Sequence, residues 1–104
     1  MVNIFWTAYC NKGRYEALGE IEKMIDNHGF ITDFKEFSNI SLMIKIEIEE
    51  RKIDGLYSEL SNYMTMEETV PVNSNALTER VIFMNVSFPA ESGNLRVEVP
   101  AVPG

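Results

Sequence analysis

The sequence predicts an α+β fold, with two helices lying together on one face of a single antiparallel sheet. Three observations carry that expectation. In SLMIKIEIEE, residues 41–50, Leu42, Ile44, Ile46 and Ile48 alternate with Met43, Lys45, Glu47 and Glu49, the period of a strand with one buried face. Two other segments repeat their apolar residues every three or four positions: Leu18, Ile21 and Ile25 in one, Ile53, Leu56, Tyr57, Leu60, Tyr63 and Met64 in the other. That is helix spacing. Three more strand-like runs surround them, so the chain reads strand, helix, strand, strand, helix, strand.

The elements follow in order. VNIFWTAY, 2–9, is apolar and rich in strand formers, and Asn11 and Gly13 break it. From Tyr15 the helical stripe begins, with Ala17 and Met24 beside it. Glu16 and Glu20 lie toward its start, where the helix dipole favours negative charge. Asn27-His28-Gly29 is a stop signal, Gly29 suiting the left-handed C-terminal position. FITDFKEF, 30–37, reads as a strand and Ser38-Asn39 as a turn into the alternating strand. The second helix starts near Ile53 with Asp54 in its first turn, and Gly55 weakens it by about 1 kcal/mol relative to alanine. Residues 65–78 form a polar connection, in which VPV at 70–72 reads as a short edge piece because proline cannot donate to a ladder. ERVIFMNVSF, 79–88, is another strand. Pro89 and Ser92-Gly93-Asn94 make a loop, LRVEV at 95–99 a short extra C-terminal strand, and PAVPG a tail.

The 104 residues suit one domain, 1–104, with its core in 2–88 and a C-terminal hairpin and tail in 89–104. At 45% hydrophobic the chain can build a core, yet a domain of this size buries well under three-quarters of its unfolded surface. Association with a second copy would add burial. A net charge of -7 repels phosphates and anionic lipid, so neither nucleic acid nor a membrane is an expected partner. The single Cys allows no internal disulfide and suits a reducing compartment. With no basic-then-apolar leader and no long apolar run, the expected location is cytoplasmic.

Two helices on one face of a four-stranded antiparallel sheet, in this order, make the ferredoxin-like βαββαβ arrangement. Gly13 opens the first helix, with Tyr15, Leu18 and Ile21 after it. His28-Gly29-Phe30 leads into the second strand, and LMIKIEIEERKIDGLYSEL spans the third strand and second helix. On these features residues 2–88 resemble the ACT-domain family of small-molecule-sensing modules. The family's Asp-x-Pro-Gly turn is here Cys10-Asn11-Lys12-Gly13. The resemblance implies an amino acid or other carboxylate bound at the turn between first strand and first helix, commonly at a subunit interface, and a regulatory role exerted on a separate protein.

That turn has a physical case of its own. The first N–H groups of a helix lack internal partners and carry partial positive charge, which receives a carboxylate well. Gly13 lets backbone approach, Asn11 offers an amide, and Lys12 and Arg14 add charge. Asn11, Lys12, Gly13 and Arg14 are therefore the candidate ligand-binding residues. The competing reading is that Asn11 only caps the helix while Lys12 and Arg14 pair with neighbouring acids.

No catalytic set assembles. Cys10 and His28 flank opposite ends of a helix about 20 Å long, beyond the hydrogen-bond reach that a base needs. No metal-ligand spacing stands out, and Glu47, Glu49 and Glu50 read as solvated charges. No cofactor is expected. The face opposite Leu42, Ile44, Ile46 and Ile48 is more informative. Alternation places Phe5, Tyr9, Ile31, Phe37, Met43, Val81 and Phe83 there, too apolar for a solvated surface. The leading expectation is a noncatalytic homodimer that binds a small carboxylate. The alternative is a protein–protein interaction module using that face, with a small enzyme of similar fold behind both. A closed cavity lined by Trp6 and other aromatics, with a titratable group inside, would favour the enzyme.

Overall fold

The structure, a computed structural model, describes residues 3–89. In chain order they form β1 (Ile4–Tyr9), α1 (Arg14–Asp26), β2 (Gly29–Ser38), β3 (Ser41–Glu49), a 3-10 turn (Glu50–Lys52) running into α2 (Ile53–Tyr63), β4 (Thr65–Met66) and β5 (Glu79–Ser87). The strand and tail expected at 95–104 lie outside the described residues.

The architecture is α+β, with a five-stranded mixed sheet in the order β2-β3-β5-β1-β4. The expected sheet had four strands, all antiparallel. In the structure β5 runs parallel to β1 and antiparallel to β3, and so separates them. The difference arises after α2, where two strands follow instead of one. Two-residue β4 takes the edge beside β1, not VPV at 70–72. The connection then carries the chain back so that β5 enters the middle. Composition favours that placement: β5 presents Ile82, Met84 and Val86 to one side and Val81 and Phe83 to the other, and a strand apolar on both faces belongs at a sheet centre.

The expected core is present. Leu42, Ile44, Ile46 and Ile48 are buried in one cluster with Trp6 and Ala8 of β1, Ile82, Met84 and Val86 of β5, Ala17, Ile21 and Ile25 of α1, and Ile53, Leu56 and Leu60 of α2. Both helical stripes meet the same side of the sheet. Each fully buried Leu or Ile contributes about 1.5–3 kcal/mol by leaving water.

Strict alternation fails in β2. Register shifts between Ile31 and Asp33, and between Glu36 and Ser38, make each a bulge or irregularity. Such an extra residue reverses the face count beyond it. Ile31 thus lies opposite Ile46 and packs on the core, not on the open face, while Phe30 lies opposite Glu47 on the open face. Gly29 is also corrected. It is no left-handed cap, because Asn27 in right-handed helical geometry ends α1. Gly29 opens β2, where a Cβ would come within 2.6 Å of the Glu47 carbonyl oxygen and 2.9 Å of Ile48 Cβ. Among the described residues no helix is long and apolar enough to cross a membrane.

Candidate functional site

The four residues expected to hold a carboxylate do sit together on the turn into α1. Gly13 is its N-cap, with φ -60° and ψ 142°, and no side chain caps the helix. A Cβ on Gly13 would meet nothing within 4 Å, so no close approach demands glycine there. Asn11 is exposed. Lys12 donates from Nζ to the Tyr63 carbonyl oxygen at 2.7 Å and lies 4.1 Å from the Tyr63 ring centre. It serves the C-terminal end of α2, where carbonyls lack partners and the dipole is negative. Arg14 is buried, pairs with Glu36, and reaches the Ser38 carbonyl oxygen at 3.5 Å. Both cations therefore tie neighbouring elements together, Lys12 to α2 and Arg14 to β2.

A second feature arises where the sheet is incomplete. β4 pairs only with Ala8 and Tyr9 of β1, and Glu67 N–H adds one bond to the Thr7 carbonyl oxygen at 2.9 Å. Beyond that point Pro71 has no N–H to extend a ladder, and the connection swings away from β1. The gap is a cavity of about 490 Å³. Ile4 and Trp6 form its sheet wall, Ile53 and Tyr57 its helix wall, and Val70, Pro71 and Val72 its outer wall. Trp6 is only 4% exposed and meets Tyr57 edge-on, ring centres 5.4 Å apart at 71°. Asp54, Ser58, Asn73 and Arg80 supply the polar lining.

In the outer wall Val70 is largely exposed, while Val72 packs partly against the core. Polar contacts hold the rest of it. Tyr57 donates its hydroxyl to the Glu67 carbonyl oxygen at 2.8 Å. Asp54 accepts from Val72 N–H at 2.9 Å and Asn73 N–H at 2.8 Å, one on each carboxylate oxygen. This double grip closes a turn at Asn73, whose φ of 50° is left-handed, a conformation that asparagine tolerates. Glu50 and Arg51 donate backbone N–H to the Thr78 and Ala76 carbonyl oxygens at 2.8 and 3.0 Å. The Glu50 carboxylate meets Arg80 at 2.8 Å. A hydrogen bond from Ser74 and the Arg80 guanidinium hold it below the usual carboxylate range.

Sequence reasoning named Trp6 only as an aromatic that could mark a cavity, and Tyr57 only as part of a helical stripe. The available signal was the combination of Asp54 in the first turn of α2 with Pro71 and Asn73 in a polar connection. Among the described residues, no group of three or more His, Cys, Asp or Glu side chains could hold a metal ion. No protein-family model, curated protein or solved structure matches the chain.

Proposed function

We propose that this chain is a noncatalytic binding module whose ligand is a small molecule with an apolar or aromatic body and a carboxylate, seated in the cavity against Trp6 and Tyr57. One observation carries the reading: a half-open cavity of about 490 Å³, mainly apolar, with two aromatic rings and one guanidinium on its walls. Ligand pockets are commonly of that size and composition. Arg80 keeps Glu50 as a partner, and its guanidinium places a positive charge on the cavity wall, which attracts a ligand carboxylate. The titratable side chains lining the cavity hold structure. Asp54 carries the outer wall and Arg80 carries Glu50, which favours binding over general acid–base chemistry. The turn at Asn11, Lys12, Gly13 and Arg14 is the weaker seat because both its cations are engaged within the fold.

The same reading treats the fold as a ferredoxin-like βαββαβ frame from β1 to β4, with β5 added between β3 and β1. It extends the ACT-like expectation of a sensor acting on a separate protein, with the ligand on the other side of β1's course. Trp6 is the only tryptophan, so its fluorescence reports this wall alone. Titration with phenylacetate should give a saturable change, and neutral phenylacetamide should bind at least tenfold more weakly. No change with phenylacetate or a panel of free amino acids up to about 10 mM, where even affinities near -3 kcal/mol would register, refutes the proposal.

A further inference from the structure

The open sheet face carries rows that cross the strands, because directly opposed residues point the same way. One row runs Asp33, Lys45, Phe83, Phe5. The next toward the β3 C-terminus contains Phe30, Glu47 and Val81. Phe5 is 72% and Phe30 69% exposed. Phe5 and Phe83 stack with ring centres 5.5 Å apart, and Lys45 Nζ lies 5.9 Å from the Phe83 ring centre. Among the described residues neither Lys45 nor Glu47 belongs to an ion pair.

We infer that a second copy of this chain stacks on that face, about a two-fold axis that crosses the strands between Lys45 and Glu47. Such an axis lies in the interface plane and exchanges the two rows. Lys45 of each copy then faces Glu47 of the other, Phe83 faces Val81, and the phenylalanine at position 5 is covered. The chain as a whole is strongly acidic, which opposes self-association. On this face, however, Lys35 and Lys45 stand against Asp33, Glu47, Glu49 and Glu79, and Arg51 pairs with Glu49, so the face carries only a small share of the surplus charge. Area is sufficient. Four strands at about 4.8 Å spacing and about 27 Å of strand length give roughly 500 Å² per copy. Both copies together reach about 1,000 Å², the lower bound for a specific interface. Aligned stacking of two twisted sheets within about 30° suits the geometry.

The test is light scattering of the full chain between about 1 and 100 µM, a range that brackets a micromolar Kd. A dimer is expected at the upper end. Lys45→Glu sets carboxylate against carboxylate, and Glu47→Lys sets ammonium against ammonium. Each should raise the dimer Kd at least tenfold with an unchanged circular-dichroism spectrum. Mixed in equal amounts, the two variants should form a one-to-one heterodimer. Phe5→Asp should be monomeric with either. A wild-type monomer at about 100 µM overturns the inference, whether the face is then bare or covered by residues 90–104. A dimer indifferent to all three substitutions overturns it too, as do charge variants that stay monomeric after mixing.

Discussion

Asp54 offers the sharpest perturbation, because it holds the outer wall of the cavity without being part of the core. Its two oxygens each accept one backbone N–H, from Val72 and Asn73. A hydrogen bond to a charged group contributes about 1.5–3 kcal/mol. Asp54 is half-buried, so the lower figure applies, and the two bonds together hold the wall by about 3 kcal/mol. At about 1.4 kcal/mol per decade this is about a hundredfold in the local opening equilibrium. Asp54→Ala removes both acceptors and should speed native-state hydrogen exchange at the Val72 and Asn73 amides by about that factor. Asp54→Asn keeps one carbonyl oxygen and should speed it by about tenfold. Amides of β3 and β5 should change far less, by no more than the loss of a first-turn negative charge at α2, about 0.3–1 kcal/mol. Phenylacetate affinity should fall alongside the opening. The measurement is amide exchange followed by NMR. Unchanged exchange at residues 72 and 73 in Asp54→Ala, or equal acceleration across the whole sheet, would refute the claim that this carboxylate specifically holds the wall.

Other outcomes follow from the same geometry. Tyr63 Oη is buried with no hydrogen-bond partner among the described residues, and burial, then Cys10, Glu16 and Glu20, push its pKa up. The folded state thus favours the neutral phenol, and stability should fall as the pH rises above 10 toward the raised folded value. Tyr63→Phe should remove that alkaline fall and raise stability at pH 7 by about 0.5–1 kcal/mol in urea denaturation. Glu50 has the opposite sign. Its lowered pKa contributes stability that is present above pH 4.5 and is lost as the pH falls through the folded value. Glu50→Gln should flatten the acid limb of exchange at residues 74–78. Lys12→Ala should cost about 0.5–1.5 kcal/mol through the lost cap and ring contact at Tyr63, measured by thermal denaturation.

The elements were readable because their signals are local. Ile44 and Ile46 declare a half-buried strand, and Ile53, Leu56 and Leu60 declare a helix, without reference to anything distant. The helix-bearing face followed from the same alternation. Strand order was not readable, because β5 chooses β1 and β3 as neighbours through contacts far apart in sequence, and no local signal distinguishes a central from an edge position firmly. The bulges in β2 were hidden too, since a pattern such as FITDFKEF keeps apolar residues on both sides of any register. Gly29 looked like a helix terminator and proved to be a point of close approach between strands. The turn at Asn11–Arg14 was placed correctly at the start of α1, but the partners of Lys12 and Arg14, Tyr63 and Glu36, come from elements that only the tertiary fold brings near. The cavity depended on how long β4 is, which composition does not encode.

The position of β5 has a consequence for how the chain acquires its shape. Until residues 79–87 emerge during synthesis, β1 and β3 have nothing between them, and the nascent polypeptide can offer only a hairpin of β2 and β3 and, apart from it, the short pairing of β1 with β4. The sheet is therefore closed from its middle by the last described strand, like a keystone set after both flanks. Assembly should be late and all-or-none, and a ribosome-stalled chain ending at residue 78 should be readily digested by protease where one ending beyond residue 89 is not.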